Sequence, residues 1–106
     1  MLLVKGKNGK SNILDLIDTH SKAITFVYYN QALILNSMWY NSSTMSFKDF
    51  MFELRKYIQE NLENSDERYD YLIIYTNQGE ITIKHQKELF QKWENIYGFQ
   101  VIIGCQ

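Results

Sequence analysis

The stretch YLIIYTNQGEITIKH, Tyr71 to His85, supports two incompatible readings. Its first half reads one way only. Leu72, Ile73 and Ile74 are consecutive apolar residues, as in a central strand covered on both faces. Asn77-Gln78-Gly79-Glu80 is then a polar turn. Beyond it, Ile81-Thr82-Ile83-Lys84 is either a returning strand or the entry to a helix that runs to Tyr97. In a hairpin, Ile81 and Ile83 point inward, Thr82 and Lys84 point outward, and Gly79 supplies a left-handed position. In a crossover, Gly79 lets the chain leave the sheet and Thr82 caps a helix starting near Ile83. The Ile-Thr-Ile run is β-prone, which favours the hairpin. The crossover needs fewer elements and gives the helix an extra turn, and it is the preferred reading.

Working outward, the N-terminal side holds the strongest hairpin signal. Ala23 to Tyr29 and Ala32 to Tyr40 are rich in β-branched and aromatic residues, with Asn30-Gln31 between them. Ser46 is a good N-cap with Asp49 three residues on. Phe47, Phe50, Met51, Leu54, Ile58 and Leu62 then recur at the spacing of one apolar helical stripe. Asn64 to Glu67 forms a solvated loop, and the strand after it spans Tyr69 to Thr76. Gly98 stands where a helix ending at Tyr97 wants its C′ residue, and Phe99 to Ile103 reads as a last strand. Near the start, Leu2 to Val4 is a short strand, and Ser11 caps a short helix with Ile13, Leu14 and Ile17 on one face. The order is β-α-β-β-α-β-α-β, in which helices alternate with apolar strands as in βαβ crossovers. The expected fold is α/β: a single-layer mixed sheet of four to five strands, with an antiparallel hairpin and amphipathic helices packed mainly on one face.

Composition narrows the classes of function. The 106 residues suit one domain. At 45% hydrophobic and 22% charged, the chain has the balance of a folded protein. The net charge is -1, the lysines are dispersed and the only arginines are Arg55 and Arg68. That argues against nucleic-acid binding, which needs a basic footprint. The N-terminal apolar run is too short for a signal peptide, and no run is long enough to span a membrane. The lone Cys105 excludes an internal disulfide, so a cytoplasmic setting is expected.

Chemistry-bearing groupings are sparse. His85 and His20 read as exposed loop or helix-end residues, because no further ligands stand at metal-binding spacing. Asp15 and Asp18 read as a solvated face. Cys105 has no base or cationic surrounding to activate it. No glycine-rich phosphate loop or nucleophile elbow is present, and no cofactor is implied. Tyr28, Tyr29, Trp39 and Tyr40 cluster near the polar loop after residue 40, either packing on the sheet or forming an aromatic binding patch. Sites on such sheets lie at the carboxyl ends of strands. Tyr29, Trp39, Tyr40, Asn77, Gln78 and Glu80 are therefore the candidate partner-binding residues. The hairpin edge offers pairing with a second copy of the chain.

Trp39, Met45, Phe50, Glu53, Leu72 to Ile74, Ile81-Thr82-Ile83 and Trp93 together resemble the STAS family of anti-sigma-factor-antagonist-like domains, in its divergent bacterial members. The resemblance covers roughly residues 23 to 97. It implies a non-enzymatic bacterial regulatory domain that binds a protein partner. It also implies a phosphoacceptor at the start of the helix after the central strand, a role that falls here to Thr82. The Asp-Ser pair usual in that loop is missing. Two alternatives stay open: a small phage or mobile-element inhibitor, and a ligand-binding domain or enzyme using Asp15, Glu80 or His85.

Overall fold

The computed structural model describes residues 1–5, 22–29, 32–35, 38–39 and 45–105. In chain order the elements are β1 (Leu2–Lys5), β2 (Ala23–Tyr29), β3 (Ala32–Leu35), β4 (Met38–Trp39), α1 (Phe47–Leu62), β5 (Tyr71–Thr76), α2 (Glu80–Lys84), α3 (Lys87–Tyr97) and β6 (Gln100–Cys105). The Ser11-capped helix and the Asn30-Gln31 turn lie outside the described residues.

The strands form one sheet of six in the order β1-β6-β5-β2-β3-β4. Its core is the four-strand run β1-β6-β5-β2, in which every pairing is parallel. This corrects the expected sheet of four to five strands organised by an antiparallel hairpin. The hydrophobic core rests on parallel strands joined by crossovers, and antiparallel pairings occur at the β2 edge, where β3 and β4 attach. The run from Ala32 to Tyr40 is also not one strand. It divides into β3 and β4, which pair with each other through Ile34↔Trp39 and Leu35↔Met38. Asn36-Ser37, the pair between them in sequence, is the turn-prone interruption in an otherwise β-prone run.

The two sheet faces follow from strand alternation. On one, Ile24, Phe26, Tyr28, Leu72, Ile74, Val101 and Ile103 join a cluster with residues of all three helices. On the other, Ile73, Tyr75 and Ile102 are buried with Val4, Val27 and Tyr71 packed against them. The steps β2→β5 and β5→β6 move in the same direction along the sheet. Right-handed crossovers therefore bring α1, α2 and α3 to the same face. Among the described residues no helix is long and apolar enough to cross a membrane.

The helices form as their residues dictate. The Ser46 hydroxyl accepts the Asp49 N–H at 3.1 Å and caps α1. Phe50, Met51, Leu54, Ile58 and Leu62 are its buried stripe. The contested segment is helical: Glu80–Lys84 forms a short helix, and His85-Gln86 leads straight into α3. The helix starts earlier than expected, so Thr82 is its third residue and not its cap. The cap position is Gly79, at φ −67° and ψ 154°. The left-handed conformation that the hairpin reading required is therefore absent at this residue. It appears instead at Gly98, φ 79°, which closes α3 by donating its N–H to the Glu94 carbonyl at 3.0 Å.

Glu94 also ties three elements together with its carboxylate. One oxygen accepts the Met1 amino group at 2.9 Å, and the other accepts the Val101 N–H at 2.9 Å. Strand β1, at the sheet edge, is thereby fastened to α3 and β6.

Gly79 and Gly98, at two helix ends, should respond oppositely to a side chain. A Cβ at either meets nothing within 4 Å, so the difference is conformational. Gly98→Ala should cost about 1 kcal/mol, because only glycine adopts the left-handed conformation freely. Gly79→Ser should gain a few tenths of a kcal/mol by adding a capping oxygen. Urea unfolding of both variants tests the pair, and effects of equal sign would contradict these cap geometries.

Candidate functional site

The carboxyl ends of the parallel strands lie along one row of the sheet: Lys5, Cys105, Thr76 and Tyr28 are register neighbours there. In α/β sheets this edge is where loops gather and ligands are met. Thr76 is fully buried. Its hydroxyl accepts the Gln78 N–H at 3.1 Å and folds the chain into a tight turn at the strand end. Asn77 projects into solvent, while Gln78 and Glu80 are half-buried. Lys84 Nζ meets Glu80 Oε1 at 2.9 Å across one turn of α2. The loop is thus tied at its start by Thr76, and the Glu80–Lys84 pair spans the helix that follows it.

Ile81 was not among the sequence-derived site residues, and it is the most exposed large apolar side chain described, at 74%. Its exposure follows from the helix. Residues i and i+2 share a face in a strand but point about 200° apart in a helix. Ile83 takes the inward direction at 1% exposure, so Ile81 faces water. Thr82 is half-buried between them, and His85 is exposed at the helix end. Once the helix reading is chosen, the same spacing predicts which isoleucine is outside.

The neighbouring end of β2 is fixed by Tyr28. Its hydroxyl donates to the Met45 carbonyl just before α1. Burial, followed by the nearby Asp49 carboxylate, pushes the Tyr28 phenol above its ordinary pKa. Tyr29 closes β2 and Trp39 closes β4. Tyr40, Asp15, Asp18 and His20 lie outside the described residues. Among the described residues no group of three or more His, Cys, Asp or Glu is arranged to hold a metal ion.

The opposite, amino-terminal edge carries a second polar and aromatic cluster. The Tyr69 hydroxyl donates to Glu67 Oε2 at 2.7 Å, and Tyr97 stacks on Phe99 at 5.7 Å between centroids. The hydrogen bond to Glu67, with burial second, holds the Tyr69 phenol up at about 12. Burial, followed by Glu63, also raises Tyr97.

Two measurements test these placements. Tyr28→Phe leaves the Met45 carbonyl without its donor and should cost about 1–3 kcal/mol in urea unfolding. An unchanged midpoint would show that the hydroxyl does not hold the α1 entry. For Tyr69 the folded pKa lies above the unfolded value near 10, so its contribution is fully present below pH 10. Stability is then lost as pH rises from about 10 to about 12. Tyr69→Phe should flatten part of that alkaline loss and remove a late-titrating phenolate from the ultraviolet titration.

Comparison of the chain with protein-family models, with curated proteins and with solved structures finds no match in any of the three.

Proposed function

We propose that this chain is a non-enzymatic regulatory domain that binds a protein partner through the carboxyl edge of its sheet, as its resemblance to STAS-like domains implies. The observation that carries the reading is Ile81, 74% exposed in the first turn of α2, a helix entered from the hydrogen-bonded Thr76–Gln78 turn and spanned by the Glu80–Lys84 ion pair. An isoleucine buried against a partner contributes about 1.5–3 kcal/mol of transfer free energy. Asn77 and Gln78 beside it supply the polar rim that surrounds such an anchor in protein interfaces. Bracing lowers the ordering cost of binding, because the loop conformation is set before the partner arrives. Tyr29, Trp39 and Tyr40 extend the same reading to the ends of β2 and β4.

A photo-cross-linking residue at position 81, expressed in the native host, should capture a defined partner that the same residue at exposed Lys48 does not. With that partner purified, Ile81→Asp should weaken binding at least about tenfold, which is about 1.4 kcal/mol. Full affinity in a folded Ile81→Asp variant would refute this surface. A phosphate on Thr82 would place negative charge next to Ile81 and alter the same contact. A Thr82→Glu variant binding as the wild type does would remove the switch and leave the interaction standing.

A further inference from the structure

The outward side of α1 carries a ridge whose two ends have opposite sign. Arg55, Gln59 and Glu63 recur every four residues, so they stand in one row along the helix, and all three are exposed. Glu63, the C-cap, keeps helical backbone angles and so stays in the row. The row runs from a cation through a neutral amide to an anion. Neither Arg55 nor Glu63 makes an ion pair with a described residue. The last turn of α1 holds no basic residue, and Glu60 and Glu63 stand at the negative end of its dipole. Exposed apolar side chains flank the ridge on opposite sides. Phe52, 62% exposed, lines a hollow on one side with Arg55 and Gln59. On the other side a hollow of about 290 Å³ runs between α1 and α3, also past Arg55, Gln59 and Glu63, and includes Ile96, 57% exposed. Both helices return the chain from the carboxyl to the amino edge of a parallel sheet, so they point the same way. Ile96, near the end of α3, therefore stands level with Glu63, and the two share both hollows on that side.

We infer that this face is a homodimer interface, in which the α1 helices of two copies pack antiparallel across a two-fold axis at Gln59. Rotation about that axis sets Arg55 of each copy opposite Glu63 of the other, and the two Gln59 side chains against each other. It also exchanges the two sides of the ridge. Phe52 precedes Gln59 by seven residues, which is about 10 Å along a helix. It therefore comes down about 10 Å beyond Gln59 of the other copy, on the side where that copy's α3 lies. Ile96 occupies that end of the groove, so each exposed apolar side chain covers the other. The mixture of signs selects a second copy over a partner of one charge. Glu63 and Glu67 share the Ile96 end with Arg68, and Arg55 stands at the other end, so a segment of either sign meets its own charge. A second copy presents the same row in reverse order. Antiparallel pairing also sets the two helix dipoles head to tail and brings a guanidinium to each acidic helix end. None of residues 77–82 lines this face, so it is a second surface, apart from the sheet edge.

The test is sedimentation equilibrium of the full chain over a series of concentrations. A dimer should form, and Arg55→Glu or Glu63→Arg should each raise its dissociation constant about tenfold or more. Both changes in one chain exchange the charges and should restore the dimer. Phe52→Asp and Ile96→Asp, at exposed positions, should each weaken it as well, and Ile81→Asp should leave it unchanged. In a Cys105→Ser background, Gln59→Cys should link into a covalent dimer on oxidation, because the two side chains meet on the axis. Lys48→Cys should not, since its two copies stand roughly 30 Å apart in this arrangement. A chain that is monomeric at every concentration up to about 1 mM would overturn the assignment. So would a dimer that both single charge reversals leave intact, or a double reversal that associates no better than the single ones.

Discussion

Five consecutive buried residues, Leu72 to Thr76, make β5 the strand on which the rest of the structure depends. Alternate side chains of a strand point to opposite faces, so burial of all five demands cover on both. The backbone of β5 must also be hydrogen-bonded along both edges, because an unpaired buried amide is costly. Strand β2 supplies one edge from Ala23 to Tyr28, and β6 supplies the other from Gln100 to Cys105. Both run parallel to β5. Each connection must therefore return the chain to the same end of the sheet, and α1 with α2 and α3 makes that return. The helix positions, the face they cover and the gathering of loops at the carboxyl edge follow from that requirement.

How far this was legible depended on the kind of signal. Stripes at helical spacing were plain: Phe50, Met51, Leu54, Ile58 and Leu62 are buried as their spacing requires. So was the consecutive apolar run of β5. Parallel crossovers were legible in the alternation of helices with apolar strands, but the clearest local pattern, at residues 23 to 40, is that of a hairpin, and it hid how much of the sheet is parallel. Strand direction is set by which distant segments pair, and propensity within a short window does not encode that. The division of residues 32 to 40 into β3 and β4 had one local mark, the turn-prone pair Asn36-Ser37, which the apolar and aromatic residues on either side outweigh.

The segment after Gly79 shows the same competition resolved by tertiary context. Ile-Thr-Ile prefers strand geometry, yet a strand there would have to pair at an edge of β5, and both edges belong to β2 and β6. A helix needs no lateral partner for its backbone. It also gives Ile83 a place in the core with Phe90 and Trp93. The cost is that Ile81 is turned out into water. Burial of one isoleucine and exposure of the other are thus consequences of one decision, made by the sheet.

The candidate site was harder to read than the fold because exposure is a product of packing. Single exposed apolar side chains are ordinary on protein surfaces, so sequence alone gives no reason to choose Ile81 or Ile96. The structure distinguishes them by their surroundings. Ile81 stands in the first turn of α2, directly after the Thr76–Gln78 turn, and Ile96 stands on α3 among charges of both signs contributed by separate elements. Arg55 and Arg68 illustrate the difficulty most directly. As two arginines in a chain of net charge -1 they argue against a nucleic-acid footprint, and composition gives them no further meaning. The α1 helix and the loop after it carry them to adjoining hollows against α3. Glu63 and Glu67 stand in the hollow beside Arg68 and, with burial, push the Tyr69 and Tyr97 phenols up, so the local field there depends on distance and burial and not on the chain's total charge.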